Sequence, residues 1–263
     1  MMKKYTKDLL IFLLSVVMVA CAKSENKPVK QKEMMKTKKV LFVTTSFDQV
    51  QTNGKKTGLW IEEFATPYYA LSLEGVEITV ATPNGGNTPI DPKSTQPEYV
   101  TASVKKFYSD PVAQKKLAQT MALKDVKAED YDAVFYPGGH GPMWDLPDNP
   151  YSIALITSFY QNGKPIALVC HGPAALKNVT DKKGVSLVKG RKISAYTNTE
   201  ESTGQTLDMV PFSLEDMIKS KGAQYVRGED WKPYSVQDGL LITGQNPASA
   251  EAVAKQLIST LNK

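Results

Sequence analysis

Few residues in this chain can do covalent chemistry, and they stand close together. The 263 residues include two histidines and two cysteines. Both histidines sit beside glycines at the ends of apolar runs, His140 in AVFYPGGHGPMWDLPDN and His171 in PIALVCHGPAAL. Cys170 directly precedes His171 and closes the apolar run Ile166 to Val169. A cysteine between a strand and a helix lies on a sharp elbow at the mouth of a sheet. A helix N-terminus there favours the thiolate, the form that acts as a nucleophile. The spacing follows the G-x-S-x-G elbow in having Gly172 two residues after the nucleophile, with Leu168 in place of the first glycine.

A nucleophilic thiol needs a proton acceptor, and the acceptor needs an orienting carboxylate. His171 is the obvious base. Glu200 and Glu201, in AYTNTEES, and Glu62 and Glu63, in TGLWIEEFATPYYAL, are the candidate acids. The PGGHGP loop lets backbone N–H groups come close to a ligand, so an oxyanion is expected between the amides of Gly139 and His171. His140, Trp60, Trp144 and Tyr196 are candidates to line the pocket. Two histidines fall short of an ordinary zinc site, which takes three or four well-spaced ligands, and no metal is expected.

These residues must be held by a sheet. Val40 to Thr45, Glu77 to Ala81, Ala133 to Tyr136, Ile166 to Val169 and Leu240 to Thr243 are short, rich in β-branched residues and bounded by turn formers, and they predict buried strands. Lys192 to Tyr196 predicts a further strand. Leu59 to Leu73, Pro111 to Thr120, Ser152 to Gln161, Leu207 to Lys221 and Ala248 to Leu261 predict helices. Strands alternating with helices imply an α/β fold, a mostly parallel sheet covered on both faces, within one domain over residues 39–263.

Composition is that of an ordinary globular protein, 41% hydrophobic and 9% aromatic, which sets disorder aside. The formal charge of +5 is concentrated at the front: residues 40–263 are slightly acidic and hold only two arginines. Nucleic-acid binding, which needs clustered cations on a folded face, is therefore not expected. Lys3, Lys4 and Lys7 precede the uncharged apolar run Leu9 to Ala20, the pattern of a secretory signal over residues 1–20. The run ends Met18-Val19-Ala20-Cys21 and resembles the lipobox of bacterial lipoproteins. A lipid on Cys21, a Lys-rich tether over residues 21–38, membrane attachment and a place in the bacterial cell envelope are the expectations.

The three segments YPGGHGPMWDLPDN, ALVCHGPAAL and GLWIEE together resemble the PfpI-type superfamily, with its class I glutamine amidotransferase-like, flavodoxin-like three-layer fold. They are similar to the branch that holds the thirty-one-kilodalton heat-shock chaperone and the glutathione-independent glyoxalases, known as glyoxalase III. The likeness spans roughly residues 38–262. It implies Cys170 as nucleophile, His171 as its partner, Glu201 as third member and Glu63 as a buried glutamate on the thiol. It also implies a homodimer and conversion of methylglyoxal, or a related small reactive carbonyl compound, to a hydroxy acid, without a cofactor. A holding chaperone or oxidative-stress protein and a cysteine peptidase or amidase are the alternatives, since one fold hosts several activities.

Overall fold

The computed structural model describes residues 37–51 and 53–263. The segments expected as a leader and as a tether, with Cys21, lie outside the described residues, apart from the last residues before β1. The strands are β1 (Lys39–Val43), β2 (Glu77–Thr82), β3 (Met121–Ala122), β4 (Ala133–Tyr136), β5 (Ile166–Val169), β6 (Lys192–Ile193), β7 (Gln224–Tyr225), β8 (Ser235–Asp238) and β9 (Leu241–Gly244). The helices are α1 (Ile61–Leu73), α2 (Ala102–Tyr108), α3 (Pro111–Ala118), α4 (Pro142–Asp145), α5 (Pro150–Gln161), α6 (Asn198–Thr203), α7 (Leu214–Ser220) and α8 (Ala250–Leu261).

Seven strands form one sheet in the order β3-β2-β1-β4-β5-β9-β8, parallel except for the antiparallel edge pair of β8 with β9. Every residue of β4, β5 and β9 is buried, as a sheet covered on both faces requires. Helices α1 and α8 pack on each other, α8 also lies on β5 and β9, and α5 packs on β4 and β5. This is the expected flavodoxin-like α/β sandwich in one domain. All five strands predicted within the main sheet form, with ends within two residues of the expected ones.

Three local expectations are corrected. The strand foreseen over Lys192 to Tyr196 stops at Ile193, because β6 pairs only with β7 in a separate two-stranded sheet. The helix foreseen over Leu207 to Lys221 starts at Leu214. Pro211 disfavours helical backbone at Val210, and the Ser213 hydroxyl caps the new start by accepting from the Asp216 amide. The segment after Cys170 is a 3₁₀ turn, Gly172–Leu176, rather than an α-helix, so it carries little of the dipole expected to favour a thiolate.

Candidate active site

The site is assembled at the C-terminal ends of β4 and β5, where open parallel sheets place their ligands. Val169 is the last residue of β5, and Cys170 turns the chain with φ of +59°, a left-handed conformation that strains a residue with a side chain. The neighbouring backbone fixes it: the Cys170 N–H donates to the Gly244 carbonyl, and the Cys170 carbonyl accepts from the Tyr196 N–H, both at 3.0 Å. Gly172 lets the elbow lie on the end of β4, since a Cβ there would stand 2.3 Å from the Tyr136 carbonyl oxygen. Gly139 has φ of +85°, and its missing Cβ would meet the Gly58 carbonyl oxygen at 2.3 Å. Packed in this way, the Gly139 N–H donates to the Cys170 thiol.

The elbow lets two residues adjacent in sequence face each other. Cys170 Sγ lies 3.2 Å from Nδ1 of His171, and the opposite ring nitrogen, Nε2, lies 2.6 Å from Oε1 of Glu201. Burial by itself would raise Glu201, but His171 and the hydrogen bonds from His140 and His171 hold its carboxyl well below the usual range. A carboxylate only accepts, so His171 donates through Nε2–H and leaves Nδ1 free to take the thiol proton. Burial, and then the neighbouring His140, push His171 down, which keeps the ring neutral.

Glu63 is fully buried in the first turn of α1. Its Oε2 accepts the Gly138 N–H at 2.6 Å, and the carboxyl lies beside the Cys170 thiol. Oε1 has no hydrogen-bond partner. Burial outweighs the Gly138 amide and pushes Glu63 up to about 8, so the carboxyl is neutral at pH 7. The thiol is itself raised, first by burial and then by the charge that Glu63 carries when ionised. Cys170 is therefore a thiol at rest, not the thiolate expected from a helix terminus.

Of the two adjacent glutamate pairs, one member of each reaches the thiol cluster. Glu201 does, whereas Glu200 closes a capping box at the start of α6 and accepts from the Trp231 amide and the Asn246 side chain. Glu62 turns instead to the hydroxyls of Thr66 and Thr101. A cleft of about 340 Å³ opens onto Gly139, His140, Cys170 and His171, with Trp60, Tyr196 and Trp231 on its walls. Trp144 is a correction: its ring stacks on Phe47 at 4.7 Å and does not line the cleft.

Tyr196, foreseen as a pocket residue, lines the cleft and also packs its ring on His171, with centroids 4.4 Å apart. One feature escaped the sequence. His140 reaches Oε2 of Glu201 through Nε2 at 3.2 Å, so both imidazoles share one carboxylate, which also accepts from the Thr206 hydroxyl. Glu201 lies 61 residues from His140, and no local pattern marks the pair.

Residues 57–260 match the model of the DJ-1/PfpI family. The chain is 33% identical over 236 residues to the glutathione-independent glyoxalase HSP31 of Saccharomyces cerevisiae, covering 86% of this chain and 99% of that protein. It is 30% identical to glyoxalase 3 of Candida albicans, over 84% of this chain and 97% of that one. Among solved structures, the Rapid Encystment Protein 24 KDa of Francisella tularensis superposes with a TM-score of 0.82 at 37% identity, over 86% of this chain and 99% of that chain.

These relatives overturn the place in a bacterial envelope. The matched glyoxalases are yeast proteins, and nearly their whole length aligns with the folded part of this chain, so the likeness does not draw on the lysine-rich, apolar front. Lysines followed by an apolar run mark a leader only as a composition pattern. The lipid anchor gains no support, and among the described residues no helix is long and apolar enough to cross a membrane. The match over residues 57–260 covers more than half of the sequence, and the chain belongs to the DJ-1/PfpI family.

Proposed function

We propose that the protein is a glutathione-independent glyoxalase that converts methylglyoxal, or a related small α-oxoaldehyde, to a 2-hydroxy acid with Cys170 as nucleophile. The observation that carries this reading is the thiol held between two proton carriers of opposite disposition: His171 with a free Nδ1, and Glu63 as a neutral acid near 8. A general acid/base is most effective with a pKa near the working pH. The names of the yeast relatives support the same activity.

The steps balance without an external oxidant. The thiol proton passes to His171 Nδ1 as sulfur bonds to the aldehyde carbon C1, and Glu63 protonates the resulting oxyanion, giving a hemithioacetal. Glu63, now a carboxylate, takes the hydrogen on C1 as a proton while His171 protonates the oxygen on C2, which leaves an enediol. Glu63 then returns a proton to C2 and His171 removes the proton on the C1 oxygen, so C1 rises to the thioester level as C2 falls to an alcohol. Water attacks the thioester, its proton goes to Glu63, and the departing sulfur recovers its proton from His171. Gly139 N–H, already directed at the sulfur, stabilises charge as it develops beside it. The hydro-lyase class of the reaction and the homodimer implied by the resemblance belong to this proposal; light scattering of the purified protein tests the dimer.

Product analysis on methylglyoxal with wild type and Cys170→Ser tests the reading. Glutathione-independent lactate formation by wild type, absent from the variant, is expected. Equal turnover by both overturns it.

A further inference from the structure

His140, His171 and Glu201 place one nitrogen each and a carboxylate oxygen within 4.8 Å of one another, all three residues buried. The set was invisible in the sequence, where two histidines fell one ligand short of a metal site. We propose that this triad is also an inhibitory site for a borderline divalent cation such as Zn²⁺, bound through His140 Nε2, His171 Nε2 and Glu201, with water from the cleft as fourth ligand.

The chemistry of the donors fits. Two imidazoles, one carboxylate and an open fourth position form a recurrent tetrahedral zinc arrangement, with bonds of about 2.0–2.2 Å. At tetrahedral angles such bonds set ligand atoms roughly 3.3–3.6 Å apart. His171 Nε2 lies 2.6 Å from Oε1 of Glu201, His140 Nε2 lies 3.2 Å from Oε2, and the ligand atoms all fall within 4.8 Å of one another. Shifts of about an ångström admit the ion. Both histidines line the cleft, which gives the ion a path. Hard ions such as Mg²⁺ prefer all-oxygen ligands and retain their waters, so the site discriminates against them.

Binding there disables the base. The metal takes the Nε2 lone pair of His171, and the ring proton moves to Nδ1, the nitrogen that faces Cys170 Sγ at 3.2 Å. The imidazole then has no acceptor left for the thiol proton. The sulfur lies at the opposite nitrogen and is not a ligand, which separates this site from ordinary capture of zinc by a cysteine. Inhibition rests on the proposed glyoxalase reading, whereas binding does not.

The test titrates Zn²⁺ into the full chain by calorimetry and by competition with a chromophoric chelator, comparing wild type, Cys170→Ser and His140→Asn. The expected result is one tight site, kept in Cys170→Ser within about threefold and weakened at least about tenfold in His140→Asn, since even outer-shell losses cost 10–100-fold. Circular dichroism checks that each variant folds, and His140→Gln replaces a variant that does not. Loss of the site in Cys170→Ser with retention in the His140 variant overturns the proposal, as does absence of stoichiometric binding by wild type. Zn²⁺ inhibition of methylglyoxal turnover, reversed by a chelator, is expected where turnover is present; tight binding by the triad without inhibition overturns the inhibitory role. A wild type that turns over no α-oxoaldehyde refutes the glyoxalase reading and, with it, the inhibitory role, and leaves the binding result to decide the metal site.

Discussion

Cys170 Sγ and His171 Nδ1, from consecutive residues, meet at 3.2 Å because Cys170 adopts φ of +59°. An extended strand points successive side chains to opposite faces, so two consecutive side chains do not normally meet. The strained elbow brings this thiol and imidazole together, and it is held by backbone hydrogen bonds to β9 and to the segment before α6.

Glu63 sets a pH limit that can be measured. Its carboxyl is neutral below about 8 and becomes a carboxylate beside the sulfur above it. In wild type, kcat/KM is expected to fall as pH rises through about 8. Glu63→Gln removes that limb and lowers kcat on the order of 10²–10⁴-fold, the usual share of a general acid/base. The same group affects folding. Its folded pKa is raised, so its contribution is fully present below the ordinary value of 4.5 and is lost as pH climbs to about 8. Melting temperature against pH for wild type and Glu63→Gln checks the sign, with the variant losing less stability across that window.

The adjacent glutamates 200 and 201 are expected to fail differently. Glu201→Gln disturbs the tautomer of His171 and is expected to reduce kcat on the order of 10³–10⁴-fold. Glu200→Gln leaves the thiol cluster intact but weakens the cap and the support of Trp231 and Asn246, so it is expected to destabilise by about 1–3 kcal/mol. Steady-state kinetics beside denaturant melts separate the two.

Much of this was legible in the chain. The strands read from β-branched runs formed, and three of them, β4, β5 and β9, are buried at every residue, while the Cys-His-Gly elbow announced itself by its position after Val169. What could not be read lies at long sequence separation. Only the fold decides which of Glu200 and Glu201 turns toward His171, that His140 shares the same carboxylate, and that Trp144 finds Phe47 instead of the cleft. The state of the thiol was misread for a physical reason: a short 3₁₀ turn offers little dipole, and burial beside Glu63 dominates.

Gly139→Ala tests the packing beneath the sulfur. The added methyl would collide with the Gly58 carbonyl oxygen, and the backbone there is left-handed. A loss of about 1–3 kcal/mol is expected from the strain alone. Activity should fall as well, because the Gly139 N–H moves off the thiol, and thermal melts with kinetics on the surviving folded fraction check both effects.

The central claim is that substrate carbon becomes bonded to one sulfur. Rapid acid quench of Glu63→Gln with methylglyoxal, followed directly by mass spectrometry of the cold, acidified protein and its peptides, addresses it. The account predicts one substrate unit on the peptide that contains Cys170, and none in Cys170→Ser. Turnover by wild type and by Cys170→Ser alike, with that peptide unmodified throughout, would contradict it.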